Sequence, residues 1–267
     1  MPKRNRQKVQ DNHRGKKALA GEGHRVVKEK FQQQRREQIK PLQAKNVNQK
    51  KTLNAFNSKQ LVVQSGYAGT GKTELMCWYA AKLWLEGEID NIVITRPLQQ
   101  LGRDGGATKG NDAEKLLPYC MSMLMKLKKY LGVGILSNNF KLDGFDTLFA
   151  AADGIQIVSL EKIQGLSFNE RTIILADEIQ NASVLQVKAL TTRCEEGCQL
   201  LISGDPRQTA LKHDNGLDFL EDVLYNYPTQ YAEVIEYGME DVVRGGLTGH
   251  LVKAYDDIGS TWGGNCG

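Results

Sequence analysis

Gly66-Tyr67-Ala68-Gly69-Thr70-Gly71-Lys72-Thr73 is the stretch on which the reading of this chain turns. It fills every fixed position of the pattern G-x-x-x-x-G-K-[ST]. The flanks agree with it. Leu61–Ser65 reads as a buried strand, and Thr73–Trp84 reads as a helix stopped by Gly87. Glycines let such a loop curl until successive backbone N–H groups face one point. The following helix adds its unpaired N–H groups and positive dipole end there. The whole loop, Gly66 to Thr73, is therefore a phosphate cradle. Lys72 is its central phosphate ligand, on the β- and γ-phosphates, and the Thr73 hydroxyl is a ligand for Mg²⁺. The alternative is a Gly-rich turn with an incidental lysine, which the strand-loop-helix context disfavours.

A phosphate loop needs a second strand that carries an acidic residue to the metal. Ile173-Ile174-Leu175-Ala176-Asp177-Glu178 supplies one. Asp177 emerges at the strand's C-terminal end, where ligands sit in open α/β sheets, and is assigned to the Mg²⁺ shell. Glu178 is assigned as the base that takes a proton from water. Leu200 to Gln208 (LLISGDPRQ) is another strand running into a Gly-Asp turn. The Gln208 amide can donate to a γ-phosphate oxygen and accept from water, so it reads as a sensor. These residues favour water over a second substrate as phosphoryl acceptor, and so an ATPase over a kinase.

The remaining body alternates short β-branched runs with helical patterns. Ile92–Arg96, Ile155–Ser159, Thr172–Ala176, Gln199–Ser203 and Ala232–Glu236 read as strands; residues 114–131 and 183–193 read as helices. The fold class expected is α/β, a RecA-like P-loop NTPase with a mostly parallel sheet and helices on both faces. Trp78 and Tyr79 in the loop's helix read as core, whereas Tyr67 inside the loop is placed to touch the nucleotide.

Charge divides the chain. Residues 1–51 carry sixteen Lys or Arg against four Asp or Glu, whereas the rest carries nineteen against twenty-seven. A basic N-terminal extension, low in apolar residues and largely disordered or partly helical, precedes a mildly acidic ATPase domain over 52–258. Residues 259–267, rich in glycine, form a flexible tail. A +12 arm suits phosphate backbones, so RNA or single-stranded DNA is the expected partner. No apolar run approaches the ~20 residues of a membrane span, and the polar N-terminus lacks the apolar core of a secretory signal. The default location is cytoplasmic. The five cysteines form no disulfide framework, and Cys194 and Cys198 lack the companions of a zinc site.

With these residues in place the chain resembles the PhoH-like ATPases, single-core relatives of superfamily 1 helicases. Gly69 to Thr73 is similar to that family's first motif and Thr95-Arg96-Pro97 to its second, followed by Glu114-Lys115 and Pro118-Tyr119. Asp177-Glu178-Ile179-Gln180-Asn181 resembles its acidic motif, with Ile179 where the family has Ala. Thr192-Arg193, Gly204-Asp205 with Gln208, Glu240 to Arg244, and Val252 to Tyr255 complete the likeness over about residues 50–258. The chain departs from the family in the polar Gly102 to Gly106 stretch and at Gln164-Gly165-Leu166-Ser167. In place of the usual N-terminal module stands the basic arm, a divergence that suits a viral copy. The resemblance implies ATP and Mg²⁺ as ligands and nucleic acid as partner. It makes Arg244 the leading arginine finger, acting in cis or in trans, with Arg193 and Arg207 behind it. Such a finger contributes roughly 10³–10⁵ in rate. A single core needs neighbours to pump along a strand, so a homo-oligomeric ring is expected. A nucleotide-dependent binding switch without motor activity is the alternative.

Overall fold

The computed structural model describes residues 39–98, 112–141, 154–209, 211 and 215–262. Seven strands form one sheet: β1 (Leu61–Gly66), β2 (Asn91–Thr95), β3 (Phe140–Lys141), β4 (Gly154–Ile157), β5 (Thr172–Ala176), β6 (Gln199–Gly204) and β7 (Ala232–Tyr237). Their spatial order is β3-β4-β2-β5-β6-β1-β7, and every pairing is parallel. Parallel pairing puts all C-terminal strand ends on one edge. Since β5, β6 and β1 are neighbours, the residues that follow them must meet there.

The strands are buried on both faces, and their residues alternate between two cores. Val62, Ile92, Ile94, Ile173, Leu175 and Leu201 point into one. That core is covered by α1 (Val47–Phe56), α2 (Lys72–Glu86) and α3 (Asp112–Leu131). Val63, Val93, Ile174, Ala176, Leu200 and Ile202 point into the other. A short α4 (Val133–Asn139) follows α3. The second core is covered by the short α5 (Leu160–Ile163), α6 (Val184–Thr191) and α7 (Gly216–Asn226). Helix α8 (Gly246–Trp262) ends the described chain.

The expected strands and helices are present, with ends displaced by a residue or two, and the sheet is entirely rather than mostly parallel. Trp78 and Tyr79 are core residues, as expected, at 9% and 6% exposure. Tyr79 donates its hydroxyl to the Phe56 carbonyl at 2.7 Å, and Trp78 donates its indole N–H to the Lys40 carbonyl at 3.1 Å.

Two boundaries need correction. The division between residues 51 and 52 falls inside α1, whose Gln49, Thr52, Ala55 and Phe56 are buried, and Ile39 and Leu42 also pack on the first core. The folded body therefore reaches back to residue 39. The division between 258 and 259 falls inside α8, which continues to Trp262. Most of the basic arm, with the partly helical stretch expected in it, and the divergent loop at 102–106 lie outside the described residues. Among the described residues no helix is long and apolar enough to cross a membrane.

Candidate functional site

At the C-terminal edge of the sheet, Ala68 to Glu74 line a cleft of about 290 Å³ with Lys126, Asp177, Glu178, Gly204, Asp205, Gln208, Val243 and Arg244. The loop is held open by glycines in left-handed conformations: Gly69 at φ 82° and Gly71 at φ 93°. Gly71 precedes α2 without any side-chain cap. The first-turn N–H groups of that helix remain available to an anion.

Lys72 is largely buried. Its ammonium donates to the carbonyls of Gly66 at 2.6 Å and Tyr67 at 2.7 Å. Burial lowers its pKa to about 8, against the opposing charges of Asp205, Asp177 and Glu178. The Thr73 hydroxyl donates to Asp177 Oδ2 at 3.1 Å, and Ser203 donates to Asp177 Oδ1. Thr73 and Asp177 thus present two hard oxygens to one point, which fits an Mg²⁺ that takes its remaining ligands from phosphate and water. Among the described residues no cluster of three or more His, Cys, Asp or Glu could form an all-protein metal cage.

Glu178 has φ 59° and ψ 34°, the one non-glycine residue with positive φ among those described. A left-handed conformation costs an ordinary residue about 1–2 kcal/mol. It is kept here by its neighbours. The Glu178 N–H donates to Asp177 Oδ1 at 3.1 Å, and its carboxylate accepts from Gln180 Nε2 at 2.7 Å. Gln180, wholly buried, also accepts the Asp205 N–H at 3.2 Å. Asp205 in turn accepts the Ala68 N–H at 3.1 Å and the Arg207 guanidinium at 3.0 Å. Burial raises the Asp205 carboxyl's pKa, with the Arg207 N–H and the Lys72 charge acting against it. The acidic turn, the Gly-Asp turn and the phosphate loop are therefore one hydrogen-bonded unit. Gln208 is exposed on the cleft wall.

Arg244 lies in the cleft of its own chain. The Val243 N–H donates to the Gly69 carbonyl at 3.1 Å, and the Arg244 side chain lies against Gly69, 3.1 Å from where a Cβ would stand. Arg207 is tied elsewhere, stacked on Tyr67 and paired with Asp205 and, at 3.8 Å, with Asp256. Arg193 is remote from the cleft. Its carbonyl accepts the Phe168 N–H, and its neighbour Cys194 lines a separate pocket with Leu61 and Leu200, at the N-terminal ends of β1 and β6. Arg96 donates to the Tyr119 carbonyl at 2.6 Å and so anchors α3 to the end of β2.

The structure thus gathers Ala68 to Thr73, Asp177, Glu178, Gln208 and Arg244 around one space. It does not place Gly66 or the Tyr67 side chain in the lining. Tyr67 donates its hydroxyl to Asp256 at 2.9 Å in α8, and its ring faces Arg207. Gly66, at φ 120°, serves packing: a Cβ there would meet the Tyr237 carbonyl at 2.1 Å.

Sequence reasoning misses α1. Gln49 Nε2 donates to the Thr70 carbonyl at 2.8 Å. Asn46 and Asn48 hold the late segment, through the Asp241 carbonyl at 3.0 Å and its carboxylate at 2.7 Å. A signal is present: Asn46 followed by Gln49 is the spacing of a helix N-terminal capping pair, and the Gln49 N–H does donate to Asn46 Oδ1 at 2.7 Å. Lys126 is also missed and has no comparable local signal.

The chain is similar to several known proteins. Residues 41–256 match the family model described as PhoH-like protein. The chain is 29% identical to Protein PhoH of Escherichia coli over 216 residues, 80% of this chain and 58% of that one. It is 30% identical to the PhoH-like protein of Bacillus subtilis over 219 residues, 81% and 65% of the two chains. With Protein PhoH2 of Bacillus subtilis it shares 35% over 176 residues, 64% and 38%. The chain spans about three fifths of the length of the first two relatives. Among solved structures, the HK97 bacteriophage large terminase aligns with a TM-score of 0.48 at 15% identity, covering 83% of this chain and 49% of that one. The Pyrococcus furiosus Hef helicase domain aligns with a TM-score of 0.44 at 15% identity, covering 75% and 40%. A family model that takes in α1, the phosphate loop, the acidic strand and the late segment leaves one assignment: the chain belongs to the PhoH-like protein family.

Proposed function

We propose that this protein binds ATP with Mg²⁺ and hydrolyses it, and that hydrolysis is coupled to binding or remodelling RNA or single-stranded DNA. One observation carries the hydrolytic reading: a carboxylate, Glu178, is held beside Asp177 and Lys72 in the same cleft as Gln208 and Arg244. Lys72 exchanges its two loop carbonyls for phosphate oxygens. Thr73 and Asp177 would hold the metal, whose charge supplies Lewis-acid stabilisation to the phosphates. Glu178 accepts the proton of the attacking water. Gln208 orients that water or reports the terminal phosphate, and Arg244 stabilises developing charge from its own chain. The nucleic-acid part rests on the basic N-terminal arm.

A switch without motor activity is favoured by a separate observation. The loop residue Tyr67 is bonded to Asp256 of α8, and Gly69 to Val243 just before that helix. A nucleotide that moved the loop would then move α8. ATP turnover measured with and without single-stranded RNA and DNA separates the two. Stimulation of several-fold supports the coupled ATPase, and slow turnover indifferent to nucleic acid supports the switch.

A further inference from the structure

The cleft contains a cation that no sequence motif supplies. Lys126 lies on α3 and lines the cleft beside Glu74, Asp177 and Glu178. Its placement is set by the next turn of the same helix face, since residues three and four apart are neighbours. Lys129 donates to Glu74 Oε1 at 2.5 Å, and the Tyr130 hydroxyl donates to the same oxygen. Glu74 is in the first turn of α2, directly after Thr73. The pair therefore clamps α3 to the helix that follows the phosphate loop, and Lys126 reaches the cleft from one turn away. Arg96, bonded to the Tyr119 carbonyl, fixes the other half of α3.

The Lys126 ammonium is itself weakly held. Its contact with the Ser122 carbonyl is 3.5 Å long, and among the described residues it makes no ion pair within 4.0 Å. Arg244 lies beside Gly69, early in the loop, whereas Lys126 lies beside Glu74, past its end. Both cations line the same cleft as Glu178, the carboxylate read above as facing the attacking water.

We propose that Lys126 contacts the terminal phosphate and makes the site discriminate nucleoside triphosphate from diphosphate. This rests on the nucleotide-binding reading above. A long ammonium with no carboxylate partner among the described residues can swing onto an added phosphate oxygen, gaining a charge-assisted bond that a diphosphate does not offer.

The test uses the full chain with Mg²⁺ and two probes, ADP and an ATP analogue with a β,γ-imido bridge. In Lys126→Ala and Lys126→Gln the analogue should bind about tenfold more weakly. ADP should change by less than about twofold, and Lys126→Arg should recover most of the loss. Equal weakening of both nucleotides would mean a general field effect and would overturn the proposal. Unchanged affinity for both would make Lys126 an ordinary surface lysine and would overturn it as well. If the unaltered protein binds neither nucleotide, the underlying reading fails first, and that result is distinguishable because it needs no variant. Thermal unfolding of each variant checks that the fold is retained, and Gln keeps the test available should Ala disturb packing.

Discussion

Gln180 donates to Glu178 Oε2 at 2.7 Å and accepts the Asp205 N–H at 3.2 Å, so one buried amide fixes the carboxylate of the acidic turn relative to the Gly-Asp turn. Gln180→Ala removes both hydrogen bonds without touching the phosphate loop. Turnover should fall about a hundredfold through misplacement of Glu178, while nucleotide affinity should change by less than about threefold. Steady-state kinetics beside a binding titration reads both. Intact turnover would mean that the carboxylate's position does not matter.

Glu178→Gln keeps the shape and removes the proton acceptor. Turnover should drop by roughly 10²–10⁴ with binding preserved, and full activity would show that another group is the base. Glu178→Gly should act differently on the fold. Relieving the left-handed strain should raise stability by about 1 kcal/mol over Glu178→Ala, measured as a shift in the urea midpoint.

The glycines of the loop should separate by mechanism. Gly66→Ala drives a methyl into the Tyr237 carbonyl at 2.1 Å, against backbone that cannot swing aside. It should destabilise the protein by more than about 2 kcal/mol and loosen β7. Gly69→Ala meets the flexible Arg244 side chain at 3.1 Å. Beyond the about 1–2 kcal/mol of a left-handed alanine at φ 82°, its main effect should be on nucleotide affinity and turnover. Equal stability losses at the two sites would contradict this division.

Gln49→Ala leaves the buried Thr70 carbonyl without its donor. A cost of about 1–3 kcal/mol is expected, together with weaker nucleotide binding as the loop gains freedom. Chemical denaturation and titration of the same samples test the two effects together.

Removing residues 1–38 should spare the fold yet weaken RNA or single-stranded DNA binding and flatten its salt dependence. The log–log slope should fall by about 0.7 for each phosphate that the arm neutralises. Removing residues 1–51 should also destabilise the body, because it cuts α1 and removes Ile39 and Leu42 from the first core. An unchanged salt slope in the shorter deletion would put the nucleic-acid surface elsewhere.

Much of the site is legible in the chain because its chemistry depends on local spacing. A phosphate loop must place glycines, lysine and hydroxyl within eight residues, and a buried strand ending in Asp177 announces itself by composition. Helix α1 is hard to read, because its moderate polarity hides an amphipathic segment beside a basic arm. Only its Asn46 and Gln49 capping pair marks its start. Tyr67 reads into the pocket because it is inside the motif, yet its side chain answers to Arg207 and Asp256, far along the chain.

The order of residues is enough to establish a phosphate loop, an acidic strand end and a parallel α/β sheet, since each is written in short-range periodicity and in glycine's conformational freedom. Tertiary structure decides the rest. Parallel pairing of β5, β6 and β1 brings Asp177 and Asp205 to the loop, and packing of α3 on α2 delivers Lys126. The hydrogen bond between Val243 and Gly69 puts Arg244 in its own chain's cleft. These are long-range interactions, set by which faces must be buried together, and no local pattern encodes them.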